Sequence, residues 1–238
     1  ATEQVEAPAA EEAPAVVEEE AAPAEEAQGG IHQALKQKFI EGGAGFMSSV
    51  ALCLILGLAI AIERIIYLAM ASTDSKKLLA AVEKALEENG VEAAKEICRN
   101  TRGPVASIFY QGLSRYDEGV EVVEKSVASY GSVQLGLLER NLSWISLFIG
   151  LSSMLGFLGT IVGMIQAFDK IQQVGDMSAS VVAGGIKVAL LTTLLGLVVA
   201  MILQVFYNYL LARIDSIVTD MEDSSISLLD IVVKYSKK

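Results

Sequence analysis

The chain is poor in the residues from which catalytic and metal centres are built. Its 238 residues include one histidine and two cysteines. His32 lies outside the long apolar stretches, which makes a haem or zinc site improbable and leaves no metal or cofactor to be expected. Cys53 falls in an apolar run and Cys98 in a polar segment, so a disulfide between them is disfavoured and no metal-ligand spacing results. No nucleophile-and-base pair or cofactor motif stands out, and enzymatic chemistry therefore has no carrier. Basic residues are in the minority, 18 Lys and Arg against 29 Asp and Glu, and they form no stripe, which argues against nucleic-acid binding. The opening ATEQVEAP has neither a basic n-region nor an apolar h-region; if the tail is external, a leader already removed would fit.

What the chain has is apolar length. Hydrophobic residues make up 53% and the mean hydropathy is +0.47, values that fit a membrane protein with a substantial aqueous part. Leu142 to Phe168 and Val188 to Ala212 are long uncharged stretches joined by a short loop. At about 1.5 Å per residue they measure roughly 40 and 37 Å, enough to cross a hydrocarbon core of about 30 Å. A further span begins at Ala44 and ends in the polar step Glu63-Arg64. The fold class expected is an all-α integral membrane protein with three transmembrane helices and extended helices in water.

The domain limits follow. Residues 1–30 repeat Ala, Pro and Glu and predict a disordered acidic tail. Residues 31–43 predict an amphipathic interfacial helix, with Ile31, Leu35 and Phe39 against Gln33, Lys36 and Lys38. Transmembrane helices are expected over 44–70, 141–168 and 182–212, with a short loop over 169–181. Residues 71–140 carry apolar positions at helical spacing, punctuated by Gly90 and Gly103-Pro104, and predict several helices without strands. The run from Val120 through Leu137 leads into Leu142, so these two helices can be continuous. Ile214, Ile217 and Met221 extend the third helix into water over 213–238.

Orientation follows from lysine and arginine, which crowd 71–140 and recur in the C-terminal segment, whereas the 169–181 loop holds only Lys170. That bias places the middle segment and C-terminus in the cytoplasm, with the N-terminus and the loop outside.

The membrane stretches are not simple anchors. Gly156, Gly159, Gly163, Gly196 and Ala200 allow close helix packing, and Thr160, Thr192 and Thr193 put hydroxyls at membrane depth. Thr160 lies about 12 Å from Phe168 and Thr193 about 9 Å from Lys187, which sets both near one depth in the outer half. The hydroxyls either line a polar path between assembled subunits or bond back to their own helix carbonyls and merely pack. Lys187 is expected at the outer interface, where its ammonium reaches water. Gln166 and Asp169 sit at the outer mouth, and Glu63-Arg64 forms an interface pair at the inner end of the first span. No Asp or Glu lies well inside any span, and threonine cannot hold a proton at neutral pH. Either the chain is no ion path or a second protein supplies the titratable group.

Three runs carry a resemblance. SMLGFLGTIVGMIQAF, Ser153 to Phe168, resembles the second-helix signature of the ExbB/TolQ/MotA proton-channel family, and AGGIKVALLTTLLGLVVA, Ala183 to Ala200, followed by Tyr207-Asn208, resembles its third helix. AIERIIY, Ala61 to Tyr67, is similar to the end of the family's first span, and the pattern is closest to the ExbB branch. The resemblance implies a pentameric ring around a dimeric ExbD-like partner that supplies a membrane aspartate. It implies work passed to a TonB-like protein, across a bacterial inner membrane with a periplasmic N-terminus. It puts the family's pore threonines on Thr160 and Thr193 and its helix-end asparagine on Asn208. Many relatives carry glutamate where this chain has Val188 beside Lys187, and proline where it has Ser153.

Overall fold

The computed structural model describes Lys36 and residues 38–40, 42–72, 74–174 and 179–236. The acidic tail over 1–30, most of the 31–43 segment and residues 175–178 of the loop lie outside the described residues. Among the described residues the regular structure is helical, with no strand. Its elements are α1 (Ala44–Ala71), α2 (Ser75–Asn100), α3 (Pro104–Leu113), a 3-10 turn (Tyr116–Glu118), α4 (Val120–Leu138), α5 (Leu142–Val174) and α6 (Ala179–Ser236).

Three of the helices are long and apolar enough to cross a membrane. α1, α5 and α6 pack as a bundle, with Val50, Val199 and Leu203 at its centre and Leu54, Leu58, Phe148, Leu155 and Leu195 around them. Their outer faces carry exposed apolar side chains such as Ile55, Met154, Phe157, Leu190 and Met201, as a helix surrounded by hydrocarbon requires. α5 continues to Val174 and α6 begins at Ala179, so helical backbone occupies much of 169–181.

α6 is one helix of 58 residues, about 87 Å at the usual rise, so well over half of it projects beyond a hydrocarbon core of about 30 Å. Around that projection fold α2, α3 and α4. The Asp74 side chain accepts from Lys77 N–H at 3.2 Å and starts α2. Gly90, at φ +80°, breaks α2 internally; a side chain would be strained there. Gly103 at φ +121° and Pro104 at the first helical position start α3. α3 is apolar almost all round, and Val105, Ile108, Phe109 and Leu113 are buried in the core shared with Leu228 and Val232 of α6. Lys234 at the far end of α6 pairs with Glu83 at 3.1 Å and Glu87 at 3.6 Å on α2.

One expectation is corrected. α4 and α5 do not run as one helix: Glu139 caps α4, and Asn141 takes φ +69° before α5 begins. Asparagine is among the few non-glycine residues that adopt this left-handed conformation readily, so a single position turns the chain without interrupting the apolar pattern around it.

Candidate functional site

Small residues determine how α5 meets α6. Along α5, Ser152, Gly156, Gly159, Gly163 and Ala167 recur every three or four residues, which lines them on one face. They meet Gly185, Ala189, Thr192 and Gly196 of the antiparallel α6. A methyl on Gly156 would lie 3.1 Å from the Gly196 Cα, and one on Gly196 only 2.6 Å from the Ser152 carbonyl oxygen. A methyl on Gly159 would strike the Thr192 side chain, and one on Gly163 would sit 3.2 Å from Ala189 Cβ. The seam therefore brings Gly156, Gly159, Gly163 and Gly196 together. Ala200 is buried one turn further along α6.

The register sets the threonines level. Gly159 faces Thr192, so Thr160 and Thr193, one residue on from each, stand within a turn of each other. Their hydroxyls differ. Thr160 Oγ1 donates to its own helix, to the Phe157 carbonyl at 2.6 Å. Thr193 Oγ1 donates chiefly across the seam, to the Gly156 carbonyl at 3.1 Å, and more distantly to the Ala189 carbonyl of its own helix at 3.4 Å. At 100° per residue each threonine lies about 60° round its helix from the seam line, and antiparallel packing turns both to the same edge of the pair. Phe148, Leu155, Leu195 and Val199, which meet α1, fall on the opposite edge. The edge carrying both threonines therefore faces away from α1.

The remaining candidates are more dispersed. Gln166, Asp169 and Lys187 are exposed, and Val188 is half-buried. Lys187 shares a shallow apolar groove with Lys38, Ile186 and Leu190. Asn208 accepts from the Gln204 amide at 3.1 Å on the exposed side of α6. Glu63 and Arg64 are not at the threonine level. Arg64, only 2% exposed, forks onto Glu63 at 2.8 and 2.9 Å. Its third branch reaches the Leu137 carbonyl at the end of α4 at 3.3 Å, and the guanidinium lies 4.5 Å over the Tyr67 ring. It ties the C-terminal part of α1 to the α4–α5 junction.

Of the two buried polar residues of the seam, the sequence pointed to Thr192 as a hydroxyl at membrane depth and missed Ser152. Thr192 fills the notch at Gly159 and donates to the Ala189 carbonyl at 2.8 Å; Ser152 donates to the Phe148 carbonyl at 2.7 Å beneath Gly196. Spacing could have found Ser152, four residues before Gly156 and eleven before Gly163, on the same face. Among the described residues no group of His, Cys, Asp and Glu is arranged to hold a metal ion.

A small-residue seam between two long apolar helices, with hydroxyls along one edge, defines a polytopic membrane protein built for close helix packing. The chain belongs to the MotA/TolQ/ExbB proton channel family, whose model matches residues 100–223. It is 33% identical over 170 residues to a protein of Methanothermobacter thermautotrophicus described as a biopolymer transport protein ExbB homolog, covering 71% of this chain and 60% of that one. It is 32% identical over 158 residues to an ExbB-like biopolymer transport protein of Synechocystis, covering 65% of this chain and 74% of that one. The aligned region thus spans less than two thirds of the first relative's length and about three quarters of the second's.

Proposed function

We propose that the chain is an ExbB-like proton-channel and motor subunit of a bacterial inner membrane. It assembles as a homo-oligomer, a pentamer in the family pattern, around an ExbD-like dimer, and uses the proton gradient to energise a TonB-like protein and outer-membrane transport. The observation that carries this reading is the placement of Thr160 and Thr193 at one level on the edge of the α5–α6 pair that faces away from α1. With α1 outside, that edge faces the axis of a ring. The spans contain no carboxylate deep within them, so the titrating group comes from the partner, an aspartate on its membrane helix. The middle segment and C-terminus lie in the cytoplasm and the N-terminus in the periplasm, as the distribution of lysine and arginine favours. Gln166, Asp169 and Lys187 then sit at the periplasmic mouth, and Val188 occupies the level at which many relatives carry glutamate. A TolQ-like or gliding-motility subunit would use the same core with a different output.

The energetics require several protons per mechanical step, since one charge crossing 100 mV releases about 2.3 kcal/mol. The test is proton flux in vesicles holding the chain with its partner. Thr160→Val and Thr193→Val should lower flux while native mass spectrometry still shows the assembly. A second reading, a non-conducting membrane scaffold, is favoured by the hydrogen bonds that both hydroxyls already donate to backbone carbonyls. Flux unchanged in both variants would select it.

A further inference from the structure

The edge that carries the threonines carries more polarity than two hydroxyls. On α5, Ser146, Ser153 and Thr160 recur at intervals of seven residues, two helical turns, and therefore share one side of the helix. On α6, Gln204 lies eleven residues past Thr193, three turns, and also returns to the same side. The seam register sets their heights. Ser152 lies under Gly196, so Ser153 stands inward of Thr193. Ser146, two turns further in, comes level with Gln204. The edge holds three polar levels about 10 Å apart: Thr160 with Thr193, then Ser153, then Ser146 with Gln204.

The hydrogen bonds separate the two inner levels from ordinary packing. Ser152, Thr160, Thr192 and Thr193 all donate to backbone carbonyls, so each is satisfied within the protein. Ser146 and Ser153 donate to no acceptor among the described residues, although both sit on the apolar span. Gln204 is exposed, and its amide gives one hydrogen to Asn208 and leaves its carbonyl oxygen open. An unpaired hydroxyl or amide turned to hydrocarbon costs several kcal/mol, so this edge requires water or a polar neighbour along its length.

We propose that Ser153 and Gln204 continue the conducting edge inward from the threonines, holding the water that relays protons between the threonine level and the inner mouth. This inference rests on the channel reading and extends it by naming positions that determine permeation. No side chain on the edge titrates near neutral pH; the proton moves along water, which Ser153 and Gln204 keep in place by donating and accepting hydrogen bonds. Leu197 and Ala200 lie between the levels on α6, so loss of the inner polar groups would leave a dry, apolar passage that water leaves readily. Ser153 is also where many relatives carry proline, which has no hydroxyl to offer.

Two measurements on the full complex with its partner test this. In the first, single cysteines at Ser146, Ser153 and Gln204 are exposed to a charged, membrane-impermeant methanethiosulfonate reagent supplied from the inner side. Val205, 69% exposed and on the side of α6 turned away from α5, is the lipid-facing control. Cys53 and Cys98 are both buried and give a low background. Modification at the three edge positions and not at Val205→Cys is expected; equal protection at all four overturns the wet edge. In the second, proton flux is measured in vesicles. Gln204→Leu is expected to lower flux about tenfold through dewetting, with Gln204→Asn retaining most of it and the assembly intact by native mass spectrometry. Ser153→Ala is expected to lower flux several-fold, and Ser153→Thr to restore it. Full flux in Gln204→Leu and Ser153→Ala, with Thr193→Val still impaired, rejects the inner levels and leaves the threonine channel standing. Flux indifferent to all of these substitutions rejects the channel reading itself.

Discussion

Replacing Arg64 by methionine keeps much of the side-chain volume and removes the guanidinium, and the structure fixes what is lost. The charged bond to the Leu137 carbonyl at 3.3 Å is worth about 1.5 to 3 kcal/mol, since the carbonyl then sits at a helix end without its donor. The contact with the Tyr67 ring adds about 0.5 to 1 kcal/mol. Glu63 has a half-exposed side chain, so its bidentate pair adds at most about 1 kcal/mol. The sum, partly offset by the apolar methionine, is a loss of about 2 to 4 kcal/mol. Trp144 is the only tryptophan and stands three residues past the Asn141 turn, so it reports on the junction that Arg64 holds. The assay is unfolding of the detergent-solubilised protein in rising sodium dodecyl sulfate, followed by Trp144 fluorescence. Arg64→Met should shift the midpoint down and change the native emission. Arg64→Lys, which keeps the charge but not the fork, should fall between. A midpoint for Arg64→Met equal to that of the unaltered chain would refute the account of Arg64 as the tie between α1 and the α4–α5 junction.

Other expectations are as direct. Gly159→Leu, which drives a side chain into Thr192, should destabilise the α5–α6 pair by about 1 to 3 kcal/mol, whereas Gly150→Leu, which meets open space, should not; thermal midpoints in detergent compare the two. Burial pushes the Cys98 thiol up to about 12, so it should resist maleimide at pH 8 in the folded protein and react once dodecyl sulfate unfolds it. The hydrogen bond and charge of Lys77 hold Asp74 below the usual aspartate range. That cap is therefore fully formed above the ordinary aspartate pKa and lost as pH falls through the depressed one, so Asp74→Asn should flatten the acid side of a stability profile. Glu83 and Glu87 hold Lys234 above the usual lysine range. Its contribution is present below the ordinary lysine pKa and lost as pH rises through the elevated one, so Lys234→Met should flatten the alkaline side.

The three membrane helices were legible because apolar length is a property of the chain itself, and the glycine and threonine content already distinguished them from plain anchors. The aqueous helices were legible from their stripes and from Gly90 and Gly103-Pro104, which punctuate the backbone locally. Register was not. That Gly159 meets Thr192 and Gly163 meets Ala189 depends on how far α6 slides along α5, and several slides would pair small residues with small residues. Nor could spacing say that Thr160 bonds to its own helix while Thr193 crosses to Gly156, because the choice depends on which carbonyl the neighbouring backbone brings near. Arg64 shows the same limit: its acceptor is a backbone oxygen 73 positions away, and a backbone oxygen has no signature in the sequence. The turn at Asn141 was hidden for the opposite reason. One residue in a left-handed conformation interrupts a helix while leaving the hydrophobic pattern on either side intact.

The unbroken length of α6 has a mechanical consequence. A continuous α-helix bends little over these distances, so its two ends behave as the arms of one lever. A tilt of about 5° around the midpoint of an 87 Å rod carries each end about 4 Å sideways, in opposite directions. That displacement exceeds the reach of the Lys234 contacts with Glu83 and Glu87, which hold at 3.1 and 3.6 Å. The same tilt moves Thr192, about 23 Å from the midpoint, by about 2 Å, so the seam at Gly159 and the Lys234 ion pair some tens of ångströms away would be disturbed together. Leu228 and Val232, buried with α2 and α3, would carry such a tilt from the membrane half of α6 into the aqueous helices.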